Sequence, residues 1–133
     1  QDPEFNVLSY ISSHDTKLFF GDYQDVPLQR RVASSFMLLP GGIQIYYGDE
    51  SGRGLAKDGG VFDQALRSDM NWQELGGGEK AELVKHWQRL GQFRAAHPAV
   101  AAGSHKKLAD SPYAFVREKG DDKVVVVFAG RQP

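Results

Sequence analysis

The chain contains no cysteine among its 133 residues, which excludes disulfide bonds and thiolate metal sites. It also lacks an excess of either charge, since 16 basic residues face 17 acidic ones and the formal net charge is −1. This balance argues against a nucleic-acid-binding domain, which usually carries a basic face, and gives no reason to expect a membrane partner. No apolar run approaches the roughly 20 residues that a membrane-spanning helix needs. With 41% apolar residues, the chain is predicted to be globular and one domain in size.

The first half of the chain is predicted to contain two strands joined by a helix. Residues 7–12 and 43–47 are apolar, β-prone runs, and Asp25 is a suitable N-cap for a helix that residues 40–42, Pro-Gly-Gly, stop. The apolar residues that recur at helical spacing, and so mark the expected buried face, are Leu28, Val32, Phe36 and Leu39. Because a strand, a helix and a strand follow one another, we expect a parallel pair with a right-handed crossover.

The second half is predicted to pass from loop to helix to antiparallel strands. A polar, glycine-rich loop covers residues 51–78, and a helix follows over 79–96. Residues 113–118 and 123–129 are predicted to pair as a hairpin. The apolar stripe of the helix is Leu83, Trp87, Leu90 and Phe93. Since two parallel strands alone are unstable, the expected fold class is α/β, the last β/α units of a larger barrel followed by a short antiparallel β segment.

Four segments, in the same order, carry a resemblance to a known family. They are the Ser-Ser-His-Asp sequence of residues 12–15, residues 40–50 from Pro-Gly-Gly to Tyr-Gly-Asp-Glu, residues 67–72, and the Phe-Arg-Ala-Ala-His-Pro sequence of residues 93–98. Together they resemble the signature regions of the α-amylase family, glycoside hydrolase family 13. In the third segment Asp69 stands where the family usually has proline.

The resemblance implies how the chain is organised. Residues 6–100 would be the C-terminal part of a catalytic (β/α)8 barrel, with strands and helices seven and eight. Residues 101–133 would start or form a short C-terminal β domain, while residues 1–5 look like a cloning scar. The family nucleophile, an Asp after strand four, and its general acid, a Glu after strand five, have no matching signature here and would lie upstream. Bacterial periplasmic members are especially similar, so we expect a periplasmic or secreted parent, the longer protein to which such a segment belongs.

The same resemblance assigns roles to Asp15 and His14, and three further residues are candidates for the sugar cleft. Asp15 matches the family's third carboxylate, which stabilises the transition state, and His14 matches the neighbouring sugar-binding histidine. From the residues alone, an arbitrary His-Asp dipeptide is more often a loop pair in which Asp15 caps a turn. Arg67 and Arg53 are predicted either to line the sugar cleft or to pair with carboxylates. Trp72, in a polar loop, is the candidate platform for stacking a sugar ring.

Other polar residues near the strand ends are predicted to be structural. Asp49 and Glu50 follow the second strand, and such acids usually fix loops by accepting backbone N–H bonds. Tyr46 and Tyr47 are expected on opposite faces of that strand, because side chains alternate there. His86 falls on the polar side of its helix and is expected to be solvated.

These observations favour a fragment of an α-amylase whose parent hydrolyses internal α-1,4-glucosidic bonds of starch or maltooligosaccharides with retention. The chain alone is expected to be inactive. The alternatives are a non-catalytic α-glucan-binding module and a sister activity of the family, α-glucosidase or transglycosylase. No cofactor is predicted for this chain, although calcium in the parent is compatible with the resemblance, mainly through upstream residues. Strand edges that further strands would cover predict self-association.

Overall fold

The computed structural model describes residues 7–55 and 62–130, in which helices and strands alternate before a final antiparallel sheet. The elements are β1 Leu8–Tyr10, α1 Phe19–Tyr23, α2 Val26–Met37, β2 Gly42–Gln44, α3 Phe62–Leu66, a 3₁₀ turn Trp72–Glu74, α4 Gly78–Ala96, α5 Pro98–Ala102, β3 Ser104–Asp110, β4 Tyr113–Lys119 and β5 Asp122–Phe128. The segment expected to be a cloning scar, residues 1–5, lies outside the described residues. Within the described ranges, no helix is long and apolar enough to cross a membrane.

The two N-terminal strands pair in parallel, as predicted, with Leu8 opposite Gly42 and Tyr10 opposite Gln44. The helix α2 provides the connection between them, and its N-cap is the predicted one, because the Asp25 carboxylate accepts the Leu28 N–H at 2.7 Å. The second strand is shorter than predicted. Pairing with β1 stops at Gln44, so residues 45–47 leave the sheet.

The main helical core lies between α2 and α4. Its buried residues are Ala33, Phe36, Met37, Leu83 and Trp87, and the Phe36 and Trp87 rings meet edge-on with centroids 6.2 Å apart. Of the predicted stripe of α2, Phe36 is buried in this core and Leu28 and Val32 are partly buried. The other buried apolar residues of the helix, Ala33 and Met37, were not predicted. Leu39 lies beyond the end of the helix and is exposed, and Phe93 of the predicted α4 stripe is exposed as well.

The long loop predicted over residues 51–78 is interrupted by two short elements. Helix α3 buries Ala65 and Leu66, and the 3₁₀ turn follows at Trp72–Glu74. Both are too short for a periodic pattern to predict them. Residues 56–61 of this loop lie outside the described residues.

The C-terminal sheet has the strand order β3-β4-β5 and is antiparallel throughout. The predicted hairpin is confirmed, with Tyr113 opposite Phe128 and Lys119 opposite Asp122. Strand β3 was not predicted, because it is an exposed edge strand with no apolar alternation. The sheet packs on α5, and the buried residues of this contact are Ala99, Val100, Phe115, Val124 and Val126.

Polar contacts join this sheet to the helices. His97 Nδ1 lies 2.8 Å from Asp122 Oδ1, and the Ala99 N–H donates to Asp122 Oδ2 at 2.8 Å. The pKa of the Asp122 carboxyl lies below its usual range. The hydrogen bond with His97 is the largest cause, and the bond from the Ala99 N–H adds to it. The buried Arg117 guanidinium donates to the carbonyls of Ala99 and Ala101 at 3.2 and 3.3 Å. The sheet and α5 therefore form one packed unit.

The parallel pair leaves apolar side chains in solvent, which leads to a first prediction. Leu8 and Tyr10 of β1 are 63% and 52% exposed, and among the described residues β1 and β2 have no strand partner other than each other. We therefore expect the purified chain to self-associate, and Leu8→Lys to reduce the association. Sedimentation over a concentration series measures the self-association. Val125→Lys is the control, because Val125 is an exposed apolar residue on β5, away from the parallel pair. A clean monomer at high concentration would contradict the prediction.

Candidate functional site

The loop after β1 presents the His14–Asp15 pair. Ser13 closes this loop, because its Oγ accepts the N–H groups of Asp15 and Thr16, both at 3.1 Å. In return, the Ser13 N–H donates to Thr16 Oγ1 at 2.9 Å. Among the described residues, the side chain of Asp15 caps no turn and contacts His14 and Arg67 instead, and it is 69% exposed.

Three of the four predicted site residues meet at the Asp15 carboxylate. His14 Nε2 lies 3.0 Å from Asp15 Oδ2. Arg67, which is 52 positions away in sequence, reaches Asp15 Oδ1 with Nη2 at 3.2 Å. An exposed carboxylate with Arg67 donating to one oxygen and His14 close to the other can accept further hydrogen bonds from hydroxyl groups and can stabilise a positive charge in front of it.

Trp72, the fourth predicted residue, lies elsewhere. Its indole is 72% exposed on the 3₁₀ turn and borders a depression that Leu55 and Lys80 also line. Within the described ranges, none of His14, Asp15 and Arg67 lines that depression. The structure thus assembles a three-residue cluster, and a stacking platform at Trp72 stays a prediction.

Arg53 holds the segment that carries Arg67. Its guanidinium is buried, with its central carbon 4.1 Å from the centre of the Tyr47 ring. It donates to the Leu66 carbonyl at 3.0 Å and to Ser68 Oγ at 2.7 Å, the residues on either side of Arg67. Of the two outcomes predicted for the arginines, Arg67 pairs with a carboxylate, whereas Arg53 binds mainly backbone carbonyls.

The two tyrosines support the same segment. The Tyr46 hydroxyl donates to the Leu66 carbonyl at 3.1 Å, and the Tyr47 hydroxyl donates to the Ser68 carbonyl at 2.8 Å. The expectation that they lie on opposite faces was wrong, because their rings touch with centroids 4.7 Å apart. The chain has left the pleated strand at Gln44, so strict alternation no longer applies.

The acidic pair after β2 is structural, but its two members act differently. Glu50 Oε2 accepts the Gly48 N–H at 2.8 Å, as predicted. Asp49 is buried, and its Oδ1 instead accepts the Ser12 hydroxyl at 2.6 Å. The Asp49 carbonyl accepts Gln29 Nε2. Asp49 Oδ2 and Gln29 Oε1 are buried without a hydrogen-bond partner among the described residues.

Burial raises the pKa of the Asp49 carboxyl from 3.8 to about 6. The Ser12 hydrogen bond opposes this rise, the charge of Glu50 adds to it, and Arg53 also opposes it.

The raised pKa predicts a particular pH dependence of stability. Between the ordinary pKa and the raised one, the folded protein binds more protons than the unfolded chain. The free energy of unfolding should therefore fall as pH rises from about 4 to about 6, by at most about 3 kcal/mol from this group. Asp49→Asn should remove that part of the slope, measured by urea denaturation at several pH values. Equal slopes for both proteins would contradict the assignment.

His86 is not solvated as expected. It is half-buried where α4 crosses α2, and its Nε2 lies 3.0 Å from Ser34 Oγ and 3.1 Å from the Arg30 carbonyl. Burial lowers the pKa of His86. Its role is to join the two helices.

Comparison with solved structures defines the class of protein. The chain matches a cyclomaltodextrinase with a TM-score of 0.72 and 28% identity, over 92% of this chain and 21% of that one. It also matches a cyclic α-maltosyl-(1→6)-maltose hydrolase from Arthrobacter globiformis, in complex with that sugar, with a TM-score of 0.68 and 28% identity, over 90% of this chain and 26% of that one. The described fold is thus shared with part of larger glucan-acting hydrolases.

One curated relative of the chain is the periplasmic alpha-amylase of Escherichia coli strain K12. The chain is 51% identical to it over 131 residues, which are 96% of this chain and 18% of the relative. The chain thus resembles the α-amylase family, glycoside hydrolase family 13, over most of its length and fits a C-terminal portion of such a protein. It spans about a fifth of the relative's length. No protein-family model matches the chain.

Proposed function

We propose that the chain is the C-terminal part of a periplasmic α-amylase and supplies one catalytic carboxylate to its active site. The observation that carries this proposal is the exposed Asp15 carboxylate, held between His14 and Arg67 at the end of a parallel strand. In parallel β/α folds, catalytic side chains lie at this end of the strands. The 51% identity to a periplasmic alpha-amylase supports the assignment of activity and compartment.

In the proposed mechanism, Asp15 accepts hydrogen bonds from hydroxyls of the sugar at the scissile bond. Its negative charge favours the oxocarbenium-like transition state of retaining hydrolysis. His14 hydrogen-bonds the same sugar, and Arg67 fixes the orientation of the carboxylate. The nucleophile and the general acid are supplied by other parts of the parent, so this chain alone does not cleave glucans.

The substrate proposed for the parent is an α-1,4-glucan or maltooligosaccharide. The proposed function assigns no cofactor to residues of this chain. The described residues contain no group of three or more His, Asp or Glu side chains able to hold a metal ion.

The full-length protein tests the proposal. Maltoheptaose is incubated with it, and the anomeric configuration of the first products is followed by proton NMR. Hydrolysis that releases the α-anomer first is expected. Binding of maltoheptaose without cleavage would instead favour the second candidate, a non-catalytic α-glucan-binding module. Release of the β-anomer first would overturn the retaining mechanism, and transfer products in place of free sugars would favour the sister activity.

A further inference from the structure

The Asp49 carboxyl lies at a junction behind the proposed site rather than in it. It receives the hydroxyl of Ser12, the residue that leads directly into the Ser13–Asp15 loop. Ser12 Oγ in turn accepts the Phe19 N–H at 3.0 Å, where the chain enters α1. Through its carbonyl, Asp49 is also tied to Gln29 of α2. The Asp49 side chain thus holds Ser12, whose hydroxyl joins the two ends of the loop that carries Asp15, and the Asp49 backbone carbonyl ties this junction to α2.

We propose that Asp49 is a positioning residue, which sets the location of Asp15 through the Ser12 hydroxyl. The inference rests on the proposed function, because it concerns the same site. Ser12 is fully buried and its hydroxyl has two partners, so it can be held in only one orientation. Removing the acceptor on Asp49 frees this hydroxyl and releases the start of the loop.

The consequence for activity follows from geometry. Asp15 itself is exposed, and the loop is closed on itself by Ser13 and Thr16. The turn of residues 13–16 can move as a unit, and the buried Ser12 attaches it to Asp49 and to the start of α1. A shift of about 1 Å in a catalytic group can cost about 100-fold in rate. Displacement of Asp15 should therefore lower kcat more than it raises KM, since Asp15 acts most strongly in the transition state.

The charges near Asp49 define what a substitution changes. Glu50 follows it in the same turn, and Arg53 faces it from the next turn of the chain. Asp49→Asn keeps an oxygen that accepts the Ser12 hydroxyl and removes the charge. Asp49→Ala removes the acceptor, and Ser12→Ala removes the same bond from its other side. Glu50→Gln is the matched control, because it neutralises the adjacent carboxylate and leaves the Ser12–Asp49 bond intact.

The test uses the full-length protein with two readouts, maltoheptaose kinetics and amide hydrogen exchange of residues 12–19. Ser12→Ala and Asp49→Ala should each lower kcat by about ten-fold or more, with little change in KM, and speed exchange in this segment. The double variant should be no worse than either single one. Asp49→Asn and Glu50→Gln should keep kcat within about two-fold of wild type.

Three results would overturn the inference. Unchanged kcat in folded Ser12→Ala and Asp49→Ala proteins would be the first. The second would be faster exchange spread equally over α4, which would mean general destabilisation. The third would be a kcat for Asp49→Asn as low as that for Asp49→Ala, which would mean that the charge matters and the Ser12 bond does not. If the wild-type protein cleaves no glucan, the proposed function fails, and hydrogen exchange alone then supports or overturns the anchoring of the loop.

Discussion

In the full-length protein, Asp15→Asn is expected to lower kcat for maltooligosaccharide hydrolysis by about 100-fold or more, with a smaller change in KM. The substitution keeps the size of the side chain and removes its negative charge. The amide nitrogen also replaces one of the two oxygens that face His14 and Arg67, and the Arg67 guanidinium can only donate. Steady-state kinetics on maltoheptaose measures the effect.

Asp110→Asn is the control for this substitution. Asp110 is an exposed carboxylate on β3 and pairs with Lys107 at 2.7 Å, so it shares the charge and exposure of Asp15 without its neighbours. It should leave kcat unchanged. If Asp15→Asn left kcat within about three-fold of wild type, Asp15 would have no role in stabilising the transition state.

The second large effect is expected on stability. Arg53→Met should lower the free energy of unfolding by about 2–4 kcal/mol, because three carbonyls lose this donor and those of Leu66 and Ser68 keep only a tyrosine hydroxyl each. The carbonyls of Leu66, Ser68 and Tyr47 all accept from this guanidinium. Methionine approximates the length of the side chain and keeps its packing on Tyr47, so the loss reports mainly the hydrogen bonds. Urea denaturation gives the value.

Arg89→Met, on the exposed side of α4, is the matched control and should change stability by less than about 0.5 kcal/mol. If both substitutions had the same small effect, Arg53 would not be the support of the Arg67 segment. A selective loss for Arg53→Met would instead show that the segment depends on it.

The sequence predicted the elements whose apolar residues recur regularly. Helix α4, the parallel pair and the β4–β5 hairpin all follow from such patterns. Strand β3 was missed because an exposed edge strand needs no apolar face, and its pairing depends on β4 rather than on its own residues. Helix α5 has only five residues, which is too few for a period to be visible.

The supports of the site could not be predicted from local sequence. Arg53 donates to the Leu66 carbonyl, 13 positions away in the chain, and nothing in its neighbouring residues indicates this. The contact between Arg67 and Asp15 joins residues 52 positions apart, so only the resemblance suggested a shared cleft. Likewise, the buried bond between Ser12 and Asp49 depends on where β1 ends relative to the turn after β2.

The central claim is that this chain supplies one carboxylate of a site that the rest of the parent completes. Reducing-sugar release from soluble starch by the purified chain, with its Asp15→Asn variant beside it, tests this most directly. We predict no release by either protein, while the full-length enzyme is active under the same conditions. Starch hydrolysis by the purified chain that Asp15→Asn abolishes would contradict the claim, because the chain would then form a complete active site by itself.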